Sequence, residues 1–252
     1  MKRLFACLLC LTFFFSGCVQ PQGKESEEEQ EKKTALLRQC ALAEVVLPTI
    51  PDEPNGADWE RWFAEHSPDK MGEKAYEKAY HEFAEQWDQQ YEAYRMAITQ
   101  LRETSLTALP SRAFTLYSQQ TAQQILSEAK GENIVYSPAN LYLALSMLSA
   151  VTDGQCRAEL LNLLGQDGEE SVRETANTLW RQLYQKTASG QTILANSLWL
   201  SDQQEYRQET VEYLAKEYYA GSYSVPMGTE EADHALAAWL NENTGGLLED
   251  AA

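Results

Sequence analysis

Large rings recur every three or four residues between positions 73 and 101: Tyr76, Tyr80, Phe83, Trp87, Tyr91 and Tyr94, followed by Ile98 and Leu101. This spacing predicts a long helix from Glu73 to Leu101 with one aromatic stripe and charged residues on its other faces. From Pro110 the organisation changes to shorter elements. Ser111 predicts the cap of a helix carrying Phe114, Tyr117, Ile125 and Leu126 on one face, closed by Lys130-Gly131. Asn133 to Tyr136 reads as a short apolar strand. Ser137-Pro138 then predicts a helix start, with Ser as cap and Pro in the first turn, where its missing N–H costs nothing. Leu141, Leu143, Ala144, Leu145, Met147 and Leu148 point in nearly all directions, so this helix must be buried. Gly154 breaks it. Ala158, Leu161 and Leu164 line the next helix, and Gly165 supplies its C-terminal turn. Glu169 to Gln185 predicts a third amphipathic helix through Val172, Leu179 and Leu183.

Thr192 to Leu200 is apolar on both faces and predicts a covered strand. Glu205 to Tyr219 predicts a helix with Val211, Leu214 and Tyr218 inward. Gly221 to Met227 predicts a second strand. Glu230 to Asn243 predicts a last helix with Ala235, Leu236 and Trp239, ended by Gly245-Gly246.

Upstream of the aromatic stripe the pattern is sparser. Val19 to Lys33 is polar and charge-dense, with Glu27-Glu28-Glu29 at its centre, and predicts a disordered tether over 18–34. Thr34 to Glu44 predicts one short helix through Leu36, Leu37 and Leu42. Pro48, Pro51 and Pro54 make Val45 to Gly56 extended or turning. Trp59, Trp62 and Phe63 form a small aromatic cluster ahead of the long helix, and residues 35–109 read as a helical extension. Two readings of the stripe stay open. It packs on a partner helix or on the following domain, or its ring faces stack on sugars.

Composition and charge narrow the setting. The chain has 252 residues, 44% of them hydrophobic, and a formal charge of -18. That acidity repels phosphate backbones, so no nucleic-acid partner is expected. Lys2 and Arg3 precede an apolar run from Leu4 to Phe15. The run is too short to span a membrane and predicts an export signal over 1–17. Phe15-Ser16-Gly17-Cys18 resembles the bacterial lipobox, in which the cysteine is lipidated and becomes the new N-terminus. Phe15 stands where Leu is usual. This reading places the protein outside the cytoplasm, lipid-anchored through Cys18 at the outer face of a bacterial membrane. An ordinary signal peptide with an incidental Cys18, releasing an extracellular protein, is the other reading.

Candidate chemistry is thin. Cys7 and Cys10 form a C-x-x-C inside the export segment. Cys40 and Cys156 could form one disulfide or stay unpaired. His81-Glu82 begins like H-E-x-x-H, but Glu85 stands where the second His would be, so no zinc site is formed. His66 and His234 have no neighbouring nucleophile pattern, and no Gly-rich phosphate loop is present. No catalytic residue, metal or cofactor is expected, and the chain does not read as an enzyme.

Taken in order, the segments from Ser111 onwards resemble the N-terminal part of a serpin, the serine protease inhibitor family. NIVYSPANLYLALSML is similar to the family's N-h-h-h-S-P-x-S-h-x-x-A-L-x-M-L. TDGQCRAELLNLLG, LANSLWL, VEYLAKEYYAGSYSVPM and AAWLNENTGGLL follow at matching positions. Asn140 stands where the family has a second Ser, Cys156 where it has Thr, and Asn243-Thr244-Gly245-Gly246 lacks the usual Lys. The lead-in around Leu42-Ala43-Glu44 and its prolines is similar to that of lipoprotein-type serpins from gut clostridia.

The resemblance implies an α+β fold: the helical part of the serpin fold with a few strands of its main sheet, over residues 110–252, preceded by the helical extension. It implies a shutter-like role for Ser137, Pro138 and Asn140. It implies that the full-length family traps an extracellular serine protease by inserting a cleaved reactive-centre loop into the main sheet. That loop is not among these 252 residues, so the expectation is a truncated domain that does not inhibit. It also follows that strand 192–200 has an open edge and that the helix from Pro138 has lost most of its cover. The alternative function is a non-inhibitory surface lipoprotein binding peptide or polysaccharide through the aromatic helix 76–101.

Overall fold

The computed structural model describes residues 27–103, 112–128, 130–192, 194–246 and 248. Helix α1 (Glu27–Cys40) opens it. It begins inside the stretch expected to be a disordered tether, because Glu27 to Thr34 contains neither Gly nor Pro and consists mostly of strong helix formers. The helix ends at Cys40, and Ala41–Ala43 is a short strand, β1, where a continuing helix was expected. Helix α2 (Gly56–Glu65) starts from a capping box. Asn55 Oδ1 accepts from the Ala57 N–H at 2.8 Å, and Asp58 Oδ2 accepts from the Asn55 N–H at 2.9 Å. The short α3 (Pro68–Met71) leads into α4 (Glu73–Glu103), the long helix of the aromatic stripe.

Helices α5 (Arg112–Ser127), α6 (Pro138–Val151), α7 (Gly154–Leu163) and α8 (Glu169–Leu183) follow. The cap expected at Ser111 lies outside the described residues. Next come strands β2 (Gln185–Thr187), β3 (Gly190–Thr192) and β4 (Asn196–Ser201), helix α9 (Gln208–Glu217), strand β5 (Ala220–Val225) and helix α10 (Glu230–Thr244). No helix of the described residues is long and apolar enough to cross a membrane. The fold is mixed helix and sheet, as the α+β expectation states.

Two corrections concern strands. Asn133 to Tyr136 is not a strand: Ile134 and Val135 are 41% and 92% exposed, with no paired backbone beside them among the described residues. An apolar run becomes a strand only where a second backbone satisfies its N–H and C=O groups. The run 192–200 is not one element either. Thr192 pairs with Gln185 in the β2–β3 hairpin, and β4 begins at Asn196.

The chain divides into two compact units, one of Met1–Leu47, Ala108–Trp180 and Ile193–Ala252, the other of Pro48–Thr107 and Arg181–Thr192. Residues 35–47, grouped by sequence with the helical extension, thus belong to the first unit. Residues 181–192 belong to the second.

In the first unit the sheet order is β1-β5-β4. Strands β4 and β5 are parallel, from Asn196 opposite Ala220 to Ser201 opposite Val225, with α9 as their connection. β1 runs antiparallel along the other edge of β5 through a register shift between Ala41 and Ala43. Leu37 and Cys40 of α1 join Trp199, Val225, Ala235, Trp239 and Leu240 in one buried cluster. Helix α6 has no exposed residue. Tyr142, Leu143, Ala144 and Met147 are buried, while Leu141, Leu145 and Leu148 form a half-covered stripe. The expected loss of most of its cover is therefore corrected: α5, α7 and α9 supply it.

In the second unit the stripe of α4 is used for packing. Trp59 and Trp62 of α2 meet Tyr80 and Phe83, with the Trp59–Phe83 centroids 4.8 Å apart. At the other end Ile50, Tyr94 and Leu101 form a small core with Ile98 and Tyr184. The Tyr94 hydroxyl donates to the Lys186 carbonyl at 3.0 Å.

Candidate functional site

The sequence-derived cluster sits at the start of α6. Ser137 adopts extended backbone, and its Oγ accepts from the Asn140 N–H at 3.3 Å. Pro138 occupies the first turn. Both residues are sufficiently explained as a helix start. Asn140 differs. It is 5% exposed, and its Oδ1 has no hydrogen-bond partner among the described residues. A buried amide oxygen without a donor costs free energy, so it marks a place that a further polar group would complete.

The sheet repeats this feature. Asn196, the first residue of β4, is buried, and neither its Oδ1 nor its Nδ2 has a partner among the described residues. Ser222 of β5, opposite Leu198, is fully buried with an unpartnered Oγ. Neither was singled out from sequence as a site residue. For Asn196 the available signal was an amide side chain inside the mostly apolar run TILANSLWL.

Aromatic packing fixes the two strands. The Trp180 indole donates to the Leu194 carbonyl at 2.8 Å and stacks on Tyr219, with centroids 3.8 Å apart. Tyr219 has φ 53°, a left-handed conformation that a ring-bearing residue rarely adopts. Trp199 stacks on its register partner Tyr223 at 4.6 Å and donates to Ser197 Oγ at 2.9 Å. Burial, then the charge of Glu242, pushes the Tyr223 phenol up to about 12. Arg173 of α8 reaches Glu217 of α9 at 2.8 Å and also pairs with Glu170, tying the two helices together. These carboxylates raise the guanidinium's already high pKa further.

Among the described residues β4 pairs only with β5, so its second edge carries no strand. Yet Asn196, Ser197, Leu198 and Trp199 are all buried. The strand has the two-sided cover of an interior strand and the open backbone of an edge. No His, Cys, Asp and Glu group suited to a metal ion occurs among the described residues. Cys40 is buried and free, its thiol pushed up by burial, and Cys156 is exposed and free, which resolves the two alternatives for this pair. Cys18 lies outside the described residues.

The family model for serpins, described as serine protease inhibitors, matches residues 112–251. The chain belongs to the serpin family. Among curated serpins, it is 25% identical over 140 residues to the probable non-inhibitory serpin-Z5 of Arabidopsis thaliana, covering 50% of this chain and 31% of that one. It is 28% identical over 127 residues to serpin-ZXA of Oryza sativa subsp. japonica, covering 48% and 32%. It is 25% identical over 143 residues to alpha-1-antitrypsin of Sus scrofa, covering 55% and 33%. The chain therefore spans about a third of the length of the serpins it matches. A solved structure of Arabidopsis AtSerpin1 in its native stressed conformation aligns with TM-score 0.48 and 17% identity, over 59% of this chain and 38% of that one.

Proposed function

We propose that this serpin serves as a serine-type endopeptidase inhibitor outside the cytoplasm, with these residues supplying the helical side and two parallel strands of the main sheet. The family match over residues 112–251 carries this reading. The unpaired edge of β4 and the orphaned amides of Asn140 and Asn196 support it, since further strands would give both their partners. Ser137, Pro138 and Asn140 are proposed as its shutter-like residues. Inhibition itself is assigned to the loop that the resemblance requires. A polypeptide of these 252 residues is proposed not to inhibit. Cys18 is proposed as the lipid anchor.

The protein purified from its native cells should form SDS-stable adducts with subtilisin or chymotrypsin that contain peptides from residues 112–251. Absence of any adduct across a panel of serine proteases would refute inhibition. An adduct with the recombinant 252-residue polypeptide would refute the assignment of the trap to other residues.

The platform reading of the aromatic helix has less support. Tyr80 and Phe83 of the stripe pack against Trp59 and Trp62 of α2, so these rings are used within the unit.

A further inference from the structure

One place in the second unit is left open by that packing. A cleft of about 600 Å³ lies between the 52–55 segment, α2, α4 and the β2–β3 hairpin. Its volume is in the range of small-molecule sites. Its walls are fixed across long sequence separations. Lys186 pairs with Asp52 at 2.6 Å, and the Ala188 N–H donates to Glu53 Oε2 at 2.8 Å, so the hairpin is stapled to the 52–55 segment. The base is apolar and well covered: Pro54 and Trp62 are buried, and Phe83 and Trp87 half-buried.

The chemistry of the remaining lining groups decides what such a cleft would take. Asp52, Glu53 and Asp58 are engaged by Lys186, the Ala188 N–H and the Asn55 N–H. That leaves Gln86, Gln90, Arg61 and Glu65 as exposed lining groups. Among the described residues Arg61 has only a 3.4 Å contact to Asp58. Gln86 and Gln90 are four apart on α4 and hence on one face. These are planar groups with paired donors or acceptors. Paired hydroxyls on a pyranose ring, each both donor and acceptor, match such groups.

Other ligand classes fit less well. A phosphate-bearing ligand would meet four carboxylates against two cations. An extended peptide needs an unpaired strand edge of useful length, and the hairpin strands are three residues each.

We propose that this cleft binds a short, uncharged pyranose oligosaccharide, with Gln86, Gln90, Arg61 and Glu65 on its hydroxyls over an apolar base of Phe83 and Trp87. The proposal narrows the sugar reading of the aromatic stripe to one pocket. It does not depend on protease inhibition, whose test reads residues 112–251.

The test is calorimetric titration of the full 252-residue chain with maltotriose, cellotriose, xylotriose, mannotriose and chitotriose, each to about 10 mM, where even weak complexes register. At least one should bind, and Gln86→Ala/Gln90→Ala should weaken it about tenfold, the loss of a bidentate hydrogen-bond set. Both residues are exposed, so circular dichroism of the double variant should match the parent. Gln89→Ala, outside the cleft, should bind normally. No binding by any trisaccharide overturns the proposal. So does binding that the double variant leaves intact, or binding of trilysine in place of the sugars.

Discussion

The ring of Tyr223 lies across Gly221: a methyl group at position 221 would stand 2.6 Å from the Tyr223 hydroxyl and 2.8 Å from its Cε2. The two residues are two apart on β5, so their side chains share a face. Trp199 stacks on Tyr223 from the neighbouring strand and keeps the ring from swinging away. Gly221→Ala should therefore destabilise the first unit by about 1–3 kcal/mol, the usual cost of overpacking. Urea unfolding followed by tryptophan fluorescence measures it. An unchanged midpoint would show that the ring relaxes freely.

Tyr223 also predicts a pH dependence. Its phenol is raised from 10.0 to about 12 in the folded protein. Between those values the unfolded chain loses the proton first, so folding stability from this group is full below pH 10 and declines as pH rises through 12. Burial raises Tyr117, Tyr142 and Tyr218 as well, in the same direction. Absorbance titration at alkaline pH should show a late group of phenols whose ionisation coincides with loss of ellipticity. Titration of every tyrosine before any unfolding would contradict the burial argument.

Asn196 is predicted to lower stability in the 252-residue polypeptide. Both polar atoms of its amide are buried and unpartnered. Asn196→Leu keeps the size and removes the unmet hydrogen bonds, so it should be neutral or stabilising by about 1 kcal/mol. A thermal melt decides: a fall in midpoint of several degrees would mean that the amide has partners in solution.

The open edge of β4 and the exposed pair Ile134 and Val135, 41% and 92% exposed, predict self-association. Sedimentation velocity should show oligomers that grow with concentration. Val135→Lys adds charge at a site with no packing to lose, and should shift the distribution toward monomer. An equally monomeric parent would remove the prediction.

Lipidation at Cys18 gives a cellular test. In a bacterial host, labelled palmitate should enter the parent and not Cys18→Ser, and the variant should leave the membrane fraction. A single signal peptidase product with no label in either would favour the ordinary-signal reading.

The helices of this serpin are largely legible in the sequence, because most bury one stripe written at helical spacing and α6 is apolar nearly all round. Ser137 and Pro138 marked the start of α6, and Leu143 and Met147 its buried face, before any contact was known. The strands were less legible. Ile134 and Val135 have the composition of a strand and lie exposed, with no paired strand beside them among the described residues. Thr192 looked continuous with Leu198 but belongs to a hairpin. From sequence β1 reads as helix, since Leu36, Leu37 and Leu42 suit one equally well.

By itself, the sequence determined which residues turn inward on α4, α6, α8, α9 and α10, and its ordered motifs determined the family. Side-chain periodicity and caps are local properties, and local spacing encodes them. Only the tertiary structure decided that Ala41–Ala43 completes one edge of β5. It alone decided that the buried amides of Asn140 and Asn196 lack partners among the described residues, and that the aromatic stripe of α4 packs on Trp59 and Trp62 at one end and on Ile50 and Tyr184 at the other. Strand pairing and polar satisfaction depend on groups far apart in the chain, and no short-range pattern records which of them meet.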